Sequence, residues 1–151
     1  MVDGWNIFVG IKGRIAQKKR IREYVRDVIF HYMPRAMRPI DIDIEVVNRC
    51  ENNYYALCWG NRNSVEIEIA RGSEDETFHF DEMMLNLGHE LIHAKQFLKG
   101  DLSANLRWNE RKTILYDQYM SQPWEREAYR DEVEIFEKYW KRVDNAPAIM
   151  R

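Results

Sequence analysis

Two histidines four residues apart, His89 and His93, sit inside a run from Phe80 to Lys99 whose apolar residues recur at helical spacing. Asp81 is placed to cap the start of this helix and Gly100 to end it. At ~100° per residue, Leu85, His89, His93 and Gln96 fall on one side, and Met84, Leu87, Leu91 and Leu98 on the other. A helix divided in this way is constrained twice over. Its apolar stripe must be covered, and its imidazoles need polar partners wherever neighbours bury them. The rest of the chain is therefore expected to supply a sheet for one face and to leave a cleft on the other.

The residues before this helix provide for such a sheet. Ile21, Tyr24, Val25, Val28, Ile29 and Tyr32 mark an amphipathic helix over 14–33, and Pro34 and Pro39 bracket a loop after it. Ile40 to Val46 alternates apolar and acidic residues, which predicts a strand with one buried face. Tyr54 to Trp59 and Val65 to Ile69 are two further strands. The turn signal Gly60-Asn61-Arg62-Asn63 lies between them and predicts a hairpin. After the motif helix, Leu106–Trp108 and Thr113–Tyr116 read as a small hairpin around 109–112. Pro123 to Val143 reads as a final helix with Pro at its first position. Residues after Asp144 are expected to form a loose tail. The fold class is α+β in a single domain: an N-terminal helix, a three-stranded mixed or mostly antiparallel sheet, the motif helix and a closing helix.

At 151 residues the chain is long enough for one core. A formal net charge of -2 gives no global field for nucleic acid or an anionic membrane. No stretch approaches the ~20 apolar residues of a membrane span, and the start does not read as a signal peptide. The two cysteines, Cys50 and Cys58, are too few for a disulfide framework and are expected reduced, in a sheet. These features imply a cytoplasmic setting. The basic residues Lys18 to Arg22 are expected to form a solvated face, with phosphate contact as the alternative.

His-Glu-x-x-His on a helix brings two imidazoles from neighbouring turns to one ion. Glu90, about 100° around from His89, is placed to hold and deprotonate a metal-bound water rather than to bind the metal. Without a metal, the two histidines would be satisfied polar residues on a buried helix. Zinc needs a further ligand, and no histidine follows His93. The apolar stripe of the last helix reads as Tyr129, Val133, Phe136, Trp140 and Val143. One turn earlier it meets Glu125, which is therefore the expected third ligand. Glu127 falls opposite that stripe and is expected to be solvated. Glu132 points inward, either as support for a ligand histidine or as a surface-edge ion pair. Tyr116, Tyr119, Tyr129 and His79 are the candidates for stabilising an oxyanion. An extended peptide is expected to add to the Val65–Ile69 strand.

These residues resemble the gluzincin metallopeptidases. Glu125-Arg126-Glu127-Ala128 is similar to the Glu-x-x-Ala element that carries their third ligand, as in minigluzincin-type domains. More closely, the run from Gly88 to Gln96, Trp108-Asn109, and the run from Gln122 to Tyr129 resemble metallopeptidases of tailed bacteriophages. The resemblance covers roughly residues 65–130. It implies a zincin-like fold, Zn2+ held by His89, His93 and Glu125, a peptide or protein substrate, and a host cytoplasm. In related peptidases an aspartate four residues after the glutamate ligand supports a histidine; here that position is Tyr129. Two alternatives stand beside a zinc peptidase: a catalytically silent zinc-stabilised interaction module, and a SprT-like protease acting near DNA.

Overall fold

Alternation along the strands decides which side of the sheet is covered. In the computed structural model, which describes residues 5–103, 107–108, 111–112 and 122–142, β1 (Ile7–Lys12), β2 (Ile40–Val47), β3 (Ala56–Gly60) and β4 (Ser64–Ala70) form one sheet in the order β1-β2-β4-β3. β1 and β4 lie parallel to β2, and β3 is antiparallel to β4. The register sets Ile42 beside Val65, Ile44 beside Ile67 and Val46 beside Ile69, so one face is a continuous β-branched surface. Asp41, Asp43, Glu66 and Trp59 stand on the other face.

The sheet thus has four strands rather than the expected three. β1, from the first residues of the chain, was not anticipated. Its signal is Ile7, Val9 and Ile11 in alternation, with the exposed Phe8 and Gly10 between them weakening the pattern. The hairpin of β3 and β4 forms as expected. Asn61 Oδ1 accepts from the backbone N–H groups of Asn63 (2.8 Å) and Ser64 (3.0 Å) and closes the turn. β4 lies inside the sheet with both edges paired, so the Val65–Ile69 strand has no free edge for a peptide. The edge beside the motif helix belongs to β3.

Both long helices cover the β-branched face. α1 (Lys18–Tyr32) buries Ile21, Tyr24, Val25, Val28 and Ile29. α2 (Phe80–Lys99) packs Met84, Leu87, Leu91 and Leu98 against the same core. Its start is not capped by Asp81. His79 is the capping residue, and its N–H is accepted by Glu82 Oε1 at 3.2 Å, closing the first turn. Asp81 instead accepts from Trp140 Nε1 (3.0 Å) and Lys141 Nζ (2.6 Å). Those hydrogen bonds hold its carboxyl below the usual range. Gly100 ends the helix with φ 81, as its position predicted. No described helix is long and apolar enough to cross a membrane.

A short antiparallel pair, β5 (Arg107–Trp108) and β6 (Arg111–Lys112), follows. Arg111 and Lys112, expected in the turn, are strand residues; Leu106 and 113–121 lie outside the described residues. The closing helix α3 (Pro123–Ile135) continues through wider turns over Phe136–Lys141. Its inward face is Trp124, Glu125, Ala128 and Ile135, while Tyr129 (40% exposed) and Val133 (52%) stand outside. The expected stripe was therefore misplaced by roughly 100°, about one residue. Trp140 is still buried, because the wider turns lag in rotation and bring it inward. Its ring lies against Tyr24 and Phe80. The Arg20 guanidinium sits 3.9 Å from the centre of the Trp140 ring and donates to its carbonyl, so this member of the basic cluster is a structural contact. The tail after Asp144 lies outside the described residues. Cys50 and Cys58 are both free; Cys58 is in β3, but Cys50 precedes the short helical turn Glu51–Asn53 rather than lying in the sheet.

α1 reaches α2 through Tyr24 at Gly88, next to the first histidine. A Cβ there would meet the Tyr24 hydroxyl oxygen at 2.6 Å, and that hydroxyl donates to the Met84 carbonyl at 3.2 Å. Gly88→Ala should therefore destabilise the chain by about 1–3 kcal/mol through overpacking, despite Ala's better helix propensity. A lower midpoint in thermal unfolding checks this, and an unchanged or raised midpoint would contradict it.

Candidate metal centre

α2 and α3 face each other across three ionisable side chains. His89 Nε2 lies 3.0 Å from Glu125 Oε1, and His93 Nε2 lies 2.9 Å from the same oxygen. The two rings meet edge to face at 4.9 Å between centroids. Glu125 is 2% exposed, and both histidines are buried. Burying a carboxylate this deeply is costly unless charge or coordination compensates it. Its position follows from the true phase of α3. Glu125 lies roughly 60° from the centre of the buried face and roughly 40° from the stripe read in the sequence. It faced inward on either count.

The nitrogen, nitrogen and oxygen atoms lie within 4.8 Å of one another and could hold one metal ion. Neighbouring ligands of tetrahedral zinc stand ~3.3 Å apart, given ligand bonds of ~2.0–2.1 Å. The distances from Glu125 to the two imidazoles are a few tenths shorter, so admitting an ion requires spreading rather than rebuilding. The donor set suits zinc or another borderline divalent ion.

Each imidazole is held from behind. His89 Nδ1 lies 3.2 Å from Glu132 Oε2, and His93 Nδ1 lies 2.7 Å from Gln96 Oε1. Glu132, seven residues after Glu125, thus supports a histidine although the position four residues after it is Tyr129. Of the two sequence alternatives for Glu132, the contact to His89 is the one formed. Gln96 shared the histidine side of α2 in the sequence, but no motif pointed to its contact. The expectation for Glu127 is corrected: it is half-buried and pairs with the Nζ of the buried Lys95. The corrected phase explains this, because it moves Glu127 from the far side of α3 to the edge of the buried face.

Electrostatics follow from the same packing. Burial disfavours charge on His89, but the carboxylates of Glu125, Glu132 and Glu90 outweigh it and raise the imidazole pKa to about 10. His93 is raised in the same way, burial opposing and Glu125 and Glu90 prevailing. Glu90 is buried with its Oε2 4.0 Å from His89 Nε2. Burial pushes its carboxyl up, the two histidines pull it down, and Glu125 adds to the rise; the net direction is upward.

A cleft opens beside Glu90 on both sides. One arm, about 410 Å³, is bounded by Tyr54, Tyr55, Asn86, His89, Tyr129 and Glu132. The other, about 200 Å³, is bounded by Leu57, His93, Phe97, Leu102, Trp124 and Glu125. Ala56 of the edge strand β3 borders both. The Tyr129 ring packs on His89 at 4.6 Å between centroids. His79, ten residues before His89 on the same helix, is ~15 Å away along the axis and does not belong to the site. Tyr116 and Tyr119 lie outside the described residues. Comparison of the chain with protein-family models, curated proteins and solved structures finds no match.

Binding of a divalent ion at neutral pH must expel the proton held on His89. Calorimetry in buffers of different ionisation enthalpy should report about one or more protons released per ion, with apparent affinity rising as the pH climbs towards about 10. Stability of the metal-free chain should run the other way. The folded pKa of His89 lies above its ordinary 6.5, so this contribution is complete below that pH and is lost as the pH rises to about 10. Denaturation midpoints across that window check the sign.

Proposed function

We propose that the chain is a zinc-dependent peptidase with a zincin-like, gluzincin-type arrangement, in which His89, His93 and Glu125 hold the metal and Glu90 is the general base. The observation that carries this reading is the reach of Glu125. A carboxylate from α3 touches the metal-facing nitrogens of both motif histidines, and Glu90 stands beside them at the floor of an open cleft.

A bound zinc would supply Lewis acidity, lowering the pKa of a coordinated water and polarising a carbonyl. The remaining work falls to the chain. Burial raises the pKa of Glu90, which makes it a stronger base than an exposed carboxylate for taking a proton from water and later returning it to the leaving amine. Glu132 and Gln96 hold the two imidazoles with their Nε2 atoms towards Glu125. Among the described residues β3 is the edge strand of the sheet and borders the cleft, a position suited to an extended peptide as an added strand. This replaces the inner strand expected from the sequence. Tyr129 is the described candidate for stabilising the oxyanion, since it borders the cleft beside His89.

Glu90→Gln separates binding from chemistry. The variant should retain stoichiometric zinc by elemental analysis while kcat/KM on an unstructured protein substrate falls by about 10²–10⁴-fold or more. Hydrolysis that survives this substitution, or a wild-type chain that cannot hold zinc, would overturn the assignment.

A further inference from the structure

His93 is oriented by a chain of contacts that extends well beyond the three candidate ligands. Gln96 is fully buried. Its Nε2 donates to the Trp124 carbonyl at 2.9 Å and to Glu127 Oε1 at 3.1 Å. Two acceptors use both hydrogens of the amide, so its oxygen must be the atom facing His93 Nδ1 at 2.7 Å. A carbonyl oxygen can only accept. Nδ1 must therefore carry a proton, which leaves Nε2 as the nitrogen for a ligand bond.

The acceptor that sets the amide is itself held. Glu127 pairs with Lys95 Nζ, and the same ammonium lies 4.7 Å from the centre of the Tyr32 ring on α1. Lys95 is only 6% exposed, and these partners take the place of solvent around its ammonium. The chain of contacts runs from α1 through Lys95 of α2 to Glu127 of α3, then back to Gln96 and His93 of α2. It also ties Gln96 to the carbonyl of Trp124, the residue immediately before Glu125.

We propose that Gln96, oriented by the Lys95–Glu127 ion pair, is a positioning residue that sets His93 as an Nε2 ligand and couples its aim to the placement of Glu125. The proposal builds on the metal centre above but has its own readout. In metal-free, ¹⁵N-histidine-labelled full-length chain, His93 should show a slowly exchanging Nδ1–H resonance. Gln96→Leu should abolish that signal and weaken zinc binding by about 10–100-fold in competition with a chromophoric chelator. Glu127→Leu should broaden the signal and weaken binding, because the amide is then held by the Trp124 carbonyl alone. Glu127→Gln should restore both, since its carbonyl oxygen can still accept from Gln96 and Lys95. That contrast stands even if Gln96→Leu does not fold. A ring-proton signal that persists in Gln96→Leu or stays sharp in Glu127→Leu, or a Glu127→Gln chain no better than Glu127→Leu, would overturn the proposal. Failure of the wild type to bind zinc would remove the peptidase reading alone, while the ring-proton signal would still decide the contact chain.

Discussion

The fold is organised by one buried carboxylate. Glu125 brings a negative charge to the join between α2 and α3, where water cannot solvate it, and two imidazoles share its oxygen. Protons on those rings or a metal can balance it. Both solutions require the helices to stay in register to within a few tenths of an ångström. Much of the surrounding structure serves that requirement: Gly88 lets Tyr24 of α1 approach α2 at its middle, and Arg20, Trp140 and Asp81 fasten the far end of α3 to α1 and to the start of α2.

The two imidazoles are supported by different chemistry. His89 has a carboxylate behind it, Glu132, which can stabilise positive charge and raises the ring's basicity. His93 has a neutral amide, Gln96, whose own donors are fully used. The first arrangement favours binding of a proton or an ion; the second favours a single ring orientation. His89 also borders the larger arm of the cleft, beneath Tyr129, whereas His93 borders the smaller, more apolar arm. The histidine backed by a carboxylate therefore faces the larger arm, and the one backed by an amide the smaller.

The edge strand ties the site to its surroundings. β3 is antiparallel to β4 and ends the sheet among the described residues, and its Ala56, Leu57 and Cys58 border the same cleft as Glu90. β1, at the opposite edge, is far along the sheet order. Among the described residues, the order β1-β2-β4-β3 thus places an edge strand on the side of α2 that carries His89, Glu90 and His93.

What was legible in the sequence was local. The period of the apolar residues marked α1, α2 and the strands from β2 to β4, because side-chain alternation and helical spacing are properties of a few consecutive residues. The four-residue separation of His89 and His93 placed them on one face of α2 for the same reason, and Glu90 beside them. Glu125 faced inward under either phase of α3, so it survived an error of about one residue in that phase. What tertiary structure alone decided depended on which surfaces meet. The inner face of α3 was set by contact with α2 and by the wider turns at Phe136–Lys141, not by its most apolar residues, so Tyr129 and Val133 stand outside and Glu127 turns in to meet Lys95. Strand order was equally invisible in the chain, since each strand carries the same inward pattern whether it is paired on one side or both. A residue's periodicity reports which way it points within its own element; only packing reports what it meets there.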